Sequence, residues 1–444
     1  MNAEQPMCPM SRKSIFPYNE WHKLLLLLSM CLIYFFSYFQ RIAVPGMCFD
    51  ELQGDFKTTA AAITALGSIF LYIYGFAQFF IGIFADRFGG RRTMLAGAAV
   101  LVCASILFPL SQSLAMLYLT RAILAVGAST IFISLVKEID TLFNPRHFAI
   151  WLGVALLIGY SGGIAGTYPL EQAISHFGWR NAMFAAGILC LLALIIAAII
   201  FRKFPVSRAQ AVQRSTTIYI ASVLRNRLSY PPMIVGAVNF SVYFLFQATI
   251  GKKMLTDCCG ISSARAAAIT FIMMTVCASI ASVSGLISRI IGNRRKPIIL
   301  AGSFLMLATT VLLTIFIHGH PDHRLIGAGF VLFALAASPS PITLSAVKEV
   351  NPGPAAATSV GLANCAAYVV VAIITNLSGV VMDCFREQAA LTSQGIVYPT
   401  IAYRLILAGC AGLAVCSAAA ACFIRETRGT VSGTTDKAGT PGQS

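Results

Sequence analysis

Twelve apolar runs of about twenty residues each decide what this chain can fold into. They cover residues 22–44, 60–84, 94–113, 116–137, 148–169, 181–201, 231–250, 263–287, 297–317, 325–347, 357–381 and 400–424. In hydrocarbon every backbone N–H and C=O must find a partner within the protein, so only helices and closed barrels span a bilayer. The runs are about twice the ~10-residue alternating segments of a barrel strand. The reading is therefore an all-α membrane protein with twelve transmembrane helices. Composition agrees: 57% of residues are hydrophobic and 11% charged, against about 25% charged in soluble domains. The run at 22–44 is too long for a signal-peptide core and lacks a small-residue cleavage site, so it is read as a permanent span.

A net charge of +16 would suit a polyanion if it were clustered. Instead, most of the Lys and Arg residues fall in loops on the side that holds the N-terminus. That bias is the positive-inside pattern. It predicts cytoplasmic termini, a bacterial inner-membrane location and no nucleic-acid partner. The 13 cysteines lie mostly within spans as small apolar fillers, and free thiols are expected. The six histidines sit at loops or helix ends, and no metal spacing is found. No nucleotide-binding loop, zinc motif or nucleophile elbow appears, so neither an enzyme nor an ATP-driven pump is expected, and no cofactor is implied.

The chain repeats itself. Gly82-Ile83-Phe84-Ala85-Asp86-Arg87-Phe88-Gly89-Gly90-Arg91-Arg92 follows the second run, and Gly285-Leu286-Ile287-Ser288-Arg289-Ile290-Ile291-Gly292-Asn293-Arg294-Arg295 follows the eighth. A second echo pairs Ser134-Leu135-Val136-Lys137-Glu138-Ile139 with Ser345-Ala346-Val347-Lys348-Glu349-Val350, closing runs four and ten. Two pseudo-symmetric six-helix bundles follow, a known transporter plan. The predicted division is a cytoplasmic N-terminus (1–20), a first bundle (21–201), a basic cytoplasmic connector partly helical at the surface (202–230), a second bundle (231–424) and a disordered tail (425–444).

These features together resemble the major facilitator superfamily. Its motif A is met by Gly82, Asp86, Arg87, Gly89, Arg91 and Arg92, and Arg121 with Gly127 is similar to its motif B, although Ala125 stands where glycine is common. Gly178-Trp179-Arg180 is a further family signature. The resemblance implies that Asp86 docks near the start of the eleventh span and latches the outward-facing state. The second copy has Arg289 in place of the acid, and a cation beside a helix N-terminus is unfavourable. The resemblance also suggests proton coupling or substrate attraction for Arg121, and pairing with an external carboxylate is equally open.

Tyr34, Tyr38 and Arg41 share one helix face. An Arg within a span either faces a wet cavity or a partner, or snorkels to the headgroups. With Tyr74 and Gln78 in span 2, this stretch is similar to organic-anion branches of the superfamily, where a span-1 Arg meets the substrate. Organophosphate carriers place a second Arg where Phe246 stands here, so one cation favours a carboxylate over a dianionic phosphate. Asn239, Tyr243 and Gln247, and Asn364 with Tyr368, could line the other half of the site or serve as interhelical glue. The expected function is uptake of a small organic anion or amino-acid-like solute by a monomer, driven by a proton or cation gradient. A proton-driven exporter and a non-transporting sensor on a carrier fold are the alternatives.

Overall fold

The computed structural model describes residues 19–144, 147–204, 216–318, 321–392 and 395–430; within these, the side chains of residues 79, 82, 83, 86, 148, 149, 216–218 and 357 are not described. The first half comprises α1 (Glu20–Ala43), a short α2 (Phe49–Asp55), α3 (Ala60–Phe88), α4 (Gly90–Leu107), α5 (Leu114–Leu142), α6 (Phe148–Ala165), α7 (Tyr168–Phe177) and α8 (Trp179–Lys203). A connector helix α9 (Thr216–Arg225) leads to the second half. There follow α10 (Tyr230–Ala248), a short α11 (Gly251–Cys259), α12 (Ser263–Ile290), α13 (Lys296–Phe316), α14 (His323–Ala337), α15 (Ser340–Glu349), α16 (Ala356–Cys384) and α17 (Thr400–Cys422). Twelve passages are long and apolar enough to cross a membrane, so the chain is an integral multi-pass membrane protein. The fifth passage is broken between α6 and α7, just before Pro169, and the tenth between α14 and α15 at Pro339. Proline lacks the N–H that would carry the helix through.

The duplication is visible in the packing. Helix α1 lies on α6, α3 on α5, and α4 on both α5 and α8. The second half repeats this with α10 on α16, α12 on α14, and α13 on α14 and α17. Between the halves α3 runs along α16, and α6 and α7 meet α12.

Two sequence boundaries shift for one electrostatic reason. The third span starts at Gly90 rather than residue 94, and the fourth runs to Leu142 rather than 137. The charges that end the apolar runs are neutralised inside the protein. The Arg91 Nε lies 2.8 Å from the Glu138 carboxylate, both buried, and Lys137 donates to the Ala85 carbonyl at 2.6 Å. Glu138 also accepts the Arg91 backbone N–H, capping α4. In the second half Arg295 meets Glu349 at 3.0 Å. The two short echoes in the sequence are thus contact partners, one pair in each half. Positive φ at Gly89 (87°) and Gly292 (73°) makes the turn that brings each arginine round.

The α13 N-terminus is capped differently. Glu426, just beyond α17, accepts the backbone N–H groups of Arg295 and Lys296 at 2.8 and 3.0 Å. The segment expected to be a disordered tail from 425 is therefore tied down through Thr430, and residues 431–444 lie outside the described set. The twelve described cysteines are free thiols. His320 also lies outside the described residues.

Small residues let α6 approach α1 closely, the usual membrane packing device. A Cβ on Gly162 would stand 2.1 Å from the Phe35 carbonyl oxygen, and one on Gly159 2.1 Å from the Tyr34 ring. Gly153 meets nothing within 4 Å and is not part of this contact. Because backbone cannot yield as a side chain does, Gly162→Ala is expected to destabilise the first half by about 1–3 kcal/mol. A thermal melt of the purified variant checks this, and an unchanged midpoint would contradict the close crossing.

Candidate functional site

A cavity of about 330 Å³ lies between the halves. Its head is at Arg41. From there it extends toward the end that holds the termini, where the first turns of α10 (Pro232, Met233) and the last turn of α15 (Val347) border it. The predicted residues Tyr34, Tyr38, Arg41, Tyr74, Gln78, Asn364 and Tyr368 all line it. Among the described residues, Arg41 is the one formally charged side chain in that lining.

Arg41 is held by aromatic groups and has no carboxylate partner among the described residues. Its Nη1 donates to the Tyr368 hydroxyl at 2.8 Å, across the interface between the halves. Its guanidinium carbon lies 4.2 Å from the Tyr74 ring centroid, 4.7 Å from Tyr38 and 5.6 Å from Tyr368. Cation–π contacts of this kind stabilise a desolvated cation. The Nε and Nη2 atoms, which form one edge of the guanidinium, are buried with no hydrogen-bond partner. Such an edge matches the two oxygens of a carboxylate. Gln78 and Asn364 bridge the halves with a 3.3 Å hydrogen bond.

Three residues proposed from sequence fall outside this lining. Asn239 accepts a 2.8 Å hydrogen bond from Ser417 and so ties α10 to α17, bordering a separate void of about 10 Å³. The Tyr243 hydroxyl turns to the Met274 sulfur at 3.3 Å. Gln247 is buried outside the cavity, its amide atoms without partners. Helix position in the bundle, which polarity alone does not encode, separates these three from Asn364 and Tyr368. The walls that sequence missed are mostly apolar, Phe132, Leu152, Leu156, Phe240, Leu344 and Val360, with Ser340 and Thr343 beside them. No signal distinguishes them from lipid-facing residues of the same type. Phe246, which the resemblance sets against the second arginine of organophosphate carriers, stacks on Phe333 in the core (5.2 Å).

Arg121 is fully buried and donates to the carbonyls of Gln40 (2.8 Å) and Val44 (2.6 Å), at the end of α1. It sits 4.5 Å over Phe70. A cation there complements the α1 C-terminus; its hydrogen-bond partners are backbone carbonyls, not an external carboxylate. Of motif A, Gly82 and Asp86 lie in α3, Arg87 and Arg92 are exposed, and Arg91 pairs with Glu138. The Asp86 side chain is outside the described set.

Beyond Arg41 the end away from the termini is sealed by polar contacts between the halves. Asp383, at the end of α16, accepts the N–H groups of Ala60 and Ala61 at 2.8 and 2.9 Å and so caps α3. The Gly46 N–H donates to Ala248 O at 3.0 Å, and Gln53 to the Tyr398 hydroxyl at 2.8 Å. Lys252 on α11 donates to Glu171 and to the Met47 carbonyl, and Lys253 reaches Asp50 (2.7 Å) and Asp257 (2.8 Å). Both lysines are buried. Burial pushes the Lys252 ammonium down, but Glu51 and Glu171 outweigh it and leave it above its ordinary value. Burial also lifts the Glu51 carboxyl, and Glu171 is the acid hydrogen-bonded to Lys252.

Known proteins with related sequences include two named as transporters and one named as a membrane sensor, UhpC of Escherichia coli, 26% identical over 180 residues that cover 39% of each chain. A 24% identical stretch of 186 residues, 40% of this chain and 41% of the other, is shared with the probable sulfoacetate transporter SauU of Cupriavidus necator. One of 175 residues, 25% identical, covers 39% of this chain and 38% of the probable hexose phosphate transport protein of Chlamydia trachomatis. The chain thus spans about two fifths of the length of the curated relatives it matches. In fold it is similar to a bacterial homologue of the human lysosomal transporter Spinster, solved inward-facing and unoccupied, at 15% identity. The TM-score is 0.73, over 92% of this chain and 97% of that one. The family model for the Major Facilitator Superfamily matches residues 27–375, most of the chain. With twelve spans packed as two repeated halves around one central cavity, the chain belongs to the major facilitator superfamily.

Proposed function

We propose that this protein is a secondary carrier that takes up a small organic anion by alternating access, with Arg41 as the anchor. One observation carries the reading: a buried guanidinium at the head of the interface cavity, without a carboxylate partner and with one edge unbonded. A desolvated charge of that kind is costly unless paired, and a substrate anion supplies the pair. The names of the two relatives, for a sulfonate and a sugar phosphate, point to anions as well. With its far end sealed, the cavity corresponds to the state open toward the termini, the cytoplasmic side on the charge bias of the loops. Uptake coupled to a proton or another cation is the natural direction.

The test is transport in proteoliposomes. Uptake of an organic anion should follow an imposed inward proton or sodium gradient. Efflux driven by an inward gradient would reassign the protein as an exporter. Ligand binding without flux would make it a sensor on a carrier fold.

The gate nearest the termini is proposed to use Asp86 of motif A and not the Arg289 of its echo. Asp86→Asn is expected to slow the transport cycle severalfold with binding retained, and Arg289→Ala to leave it within twofold. Equal defects in the two variants would remove the distinction.

A further inference from the structure

The cavity says more about its occupant than the sign of its charge. One feature limits that charge to one: among the described residues, Arg41 is the sole formal charge in the lining. A second negative charge carried into this space would be desolvated without a partner. The remaining surface limits the body. Below Arg41 the walls are mostly apolar, Phe132, Leu152, Leu156, Phe240, Leu344 and Val360, with the hydroxyls of Ser340 and Thr343 among them. Gln78 and Asn364 share one hydrogen bond, from Asn364 Nδ2 to Gln78 Oε1, which leaves a single amide donor and a single carbonyl to meet a ligand along this stretch. A polyhydroxylated body would leave most of its hydroxyls unpaired against these walls, which is expensive. The tyrosines around Arg41 offer ring faces and edges: Tyr38 meets Tyr160 edge-on at 5.2 Å, and Tyr74 meets Tyr368 at 4.9 Å.

We propose that the substrate is an amphipathic monocarboxylate, one carboxylate on a compact apolar or aromatic body. The inference deepens the anion-carrier reading and rests on it. The carboxylate pairs with the guanidinium of Arg41, whose Nε and Nη2 edge is covered by protein in this state and turns toward the cavity to receive it. The body points down the cavity between α6, α10 and α15, and at about 330 Å³ the space is near the small end of the ~300–1,000 Å³ typical of ligand sites. This departs from the sulfoacetate and the sugar phosphate in the names of two relatives, both dianions, and the single arginine and the apolar walls are the reason.

The experiment is a binding series by thermal shift and calorimetry on the purified full-length chain. The probes are acetate, butanoate, hexanoate and 3-phenylpropanoate, with gluconate as a polar monoanion and glucose 6-phosphate as a dianion. The amide of 3-phenylpropanoic acid controls for partition into detergent. Affinity should rise roughly three- to fourfold for each methylene buried until the cavity is full. Gluconate and glucose 6-phosphate should bind at least tenfold more weakly than 3-phenylpropanoate, the amide should not bind, and Arg41→Gln should remove the response. Gluconate or glucose 6-phosphate binding as well as 3-phenylpropanoate, still dependent on Arg41, would overturn the apolar-body inference and leave the anion carrier standing. Absence of any Arg41-dependent anion binding would overturn both. Should Arg41→Gln not fold, Arg41→Lys and Tyr368→Phe serve instead; each loses one defined contact, and unchanged carboxylate affinity in both would count equally against the assignment.

Discussion

Arg41→Gln is expected to abolish saturable anion uptake and ligand-induced thermal stabilisation while leaving the protein folded. The asymmetry follows from the surroundings of the guanidinium. No carboxylate is orphaned when it is removed, because none pairs with it; the loss is one hydroxyl hydrogen bond and the ring contacts. These stabilising terms, about 0.5–2 kcal/mol each, are set against relief from holding a desolvated cation. The net change in stability should therefore be small. Binding has no such compensation, since glutamine offers no charge to a buried anion. Arg41→Lys separates charge from shape. It keeps the cation but not the planar fork, and a loss of about 1.5–3 kcal/mol, roughly ten- to a hundredfold in affinity, is expected. Uptake by Arg41→Gln at the level of the parent protein would remove Arg41 from the site.

The second large effect is expected at the far-end seal. Lys252→Met leaves Glu171 buried without its partner, and removing one member of a buried ion pair costs about 3–5 kcal/mol. Glu171 lies in the first half and Lys252 in the second, so the penalty falls on the closed state, and it is relieved if the halves part and water reaches the carboxylate. The variant should thus populate a state open at the far end. Cys48 is a native reporter: it is fully buried, next to the Met47 carbonyl that accepts the Lys252 hydrogen bond. Its labelling by a membrane-impermeant maleimide, followed by mass spectrometry, should rise at least tenfold in Lys252→Met. Adding Glu171→Gln should reverse most of the rise, because the uncompensated charge is then gone. Unchanged Cys48 labelling in the single variant would show that this pair does not hold the seal.

Much of this site is legible in the amino-acid sequence. Tyr34, Tyr38 and Arg41 stand out because a charge in an apolar run is costly and the helical period sets them on one face. The two echoes announce duplication, yet not that Arg91 reaches Glu138 and Arg295 reaches Glu349. Such pairs join residues far apart in the chain, and their charges make the spans look shorter than they are. Asn239 and Gln247 carry the same polarity as Asn364, and local pattern does not separate the three. Asn239 is spent on Ser417 and Gln247 is buried off the path, so neither reaches the cavity. Lys252 and Lys253 have the look of ordinary loop cations, but α11 folds them beneath Glu171 and Asp50.

The order of residues along the chain dictates the solvent and the plan: twelve helices in lipid, two repeated halves, and arginines set within apolar runs. Those conclusions rest on local properties, namely run length, period and the energetic cost of a charge in hydrocarbon. Three-dimensional packing settles which polar groups face the cavity, which are joined to each other, and which end of the path is closed. These depend on how helices are rotated and crossed against partners hundreds of residues away. Close packing of small residues such as Gly162, and charge pairs that form only when the halves meet, hold that arrangement in place.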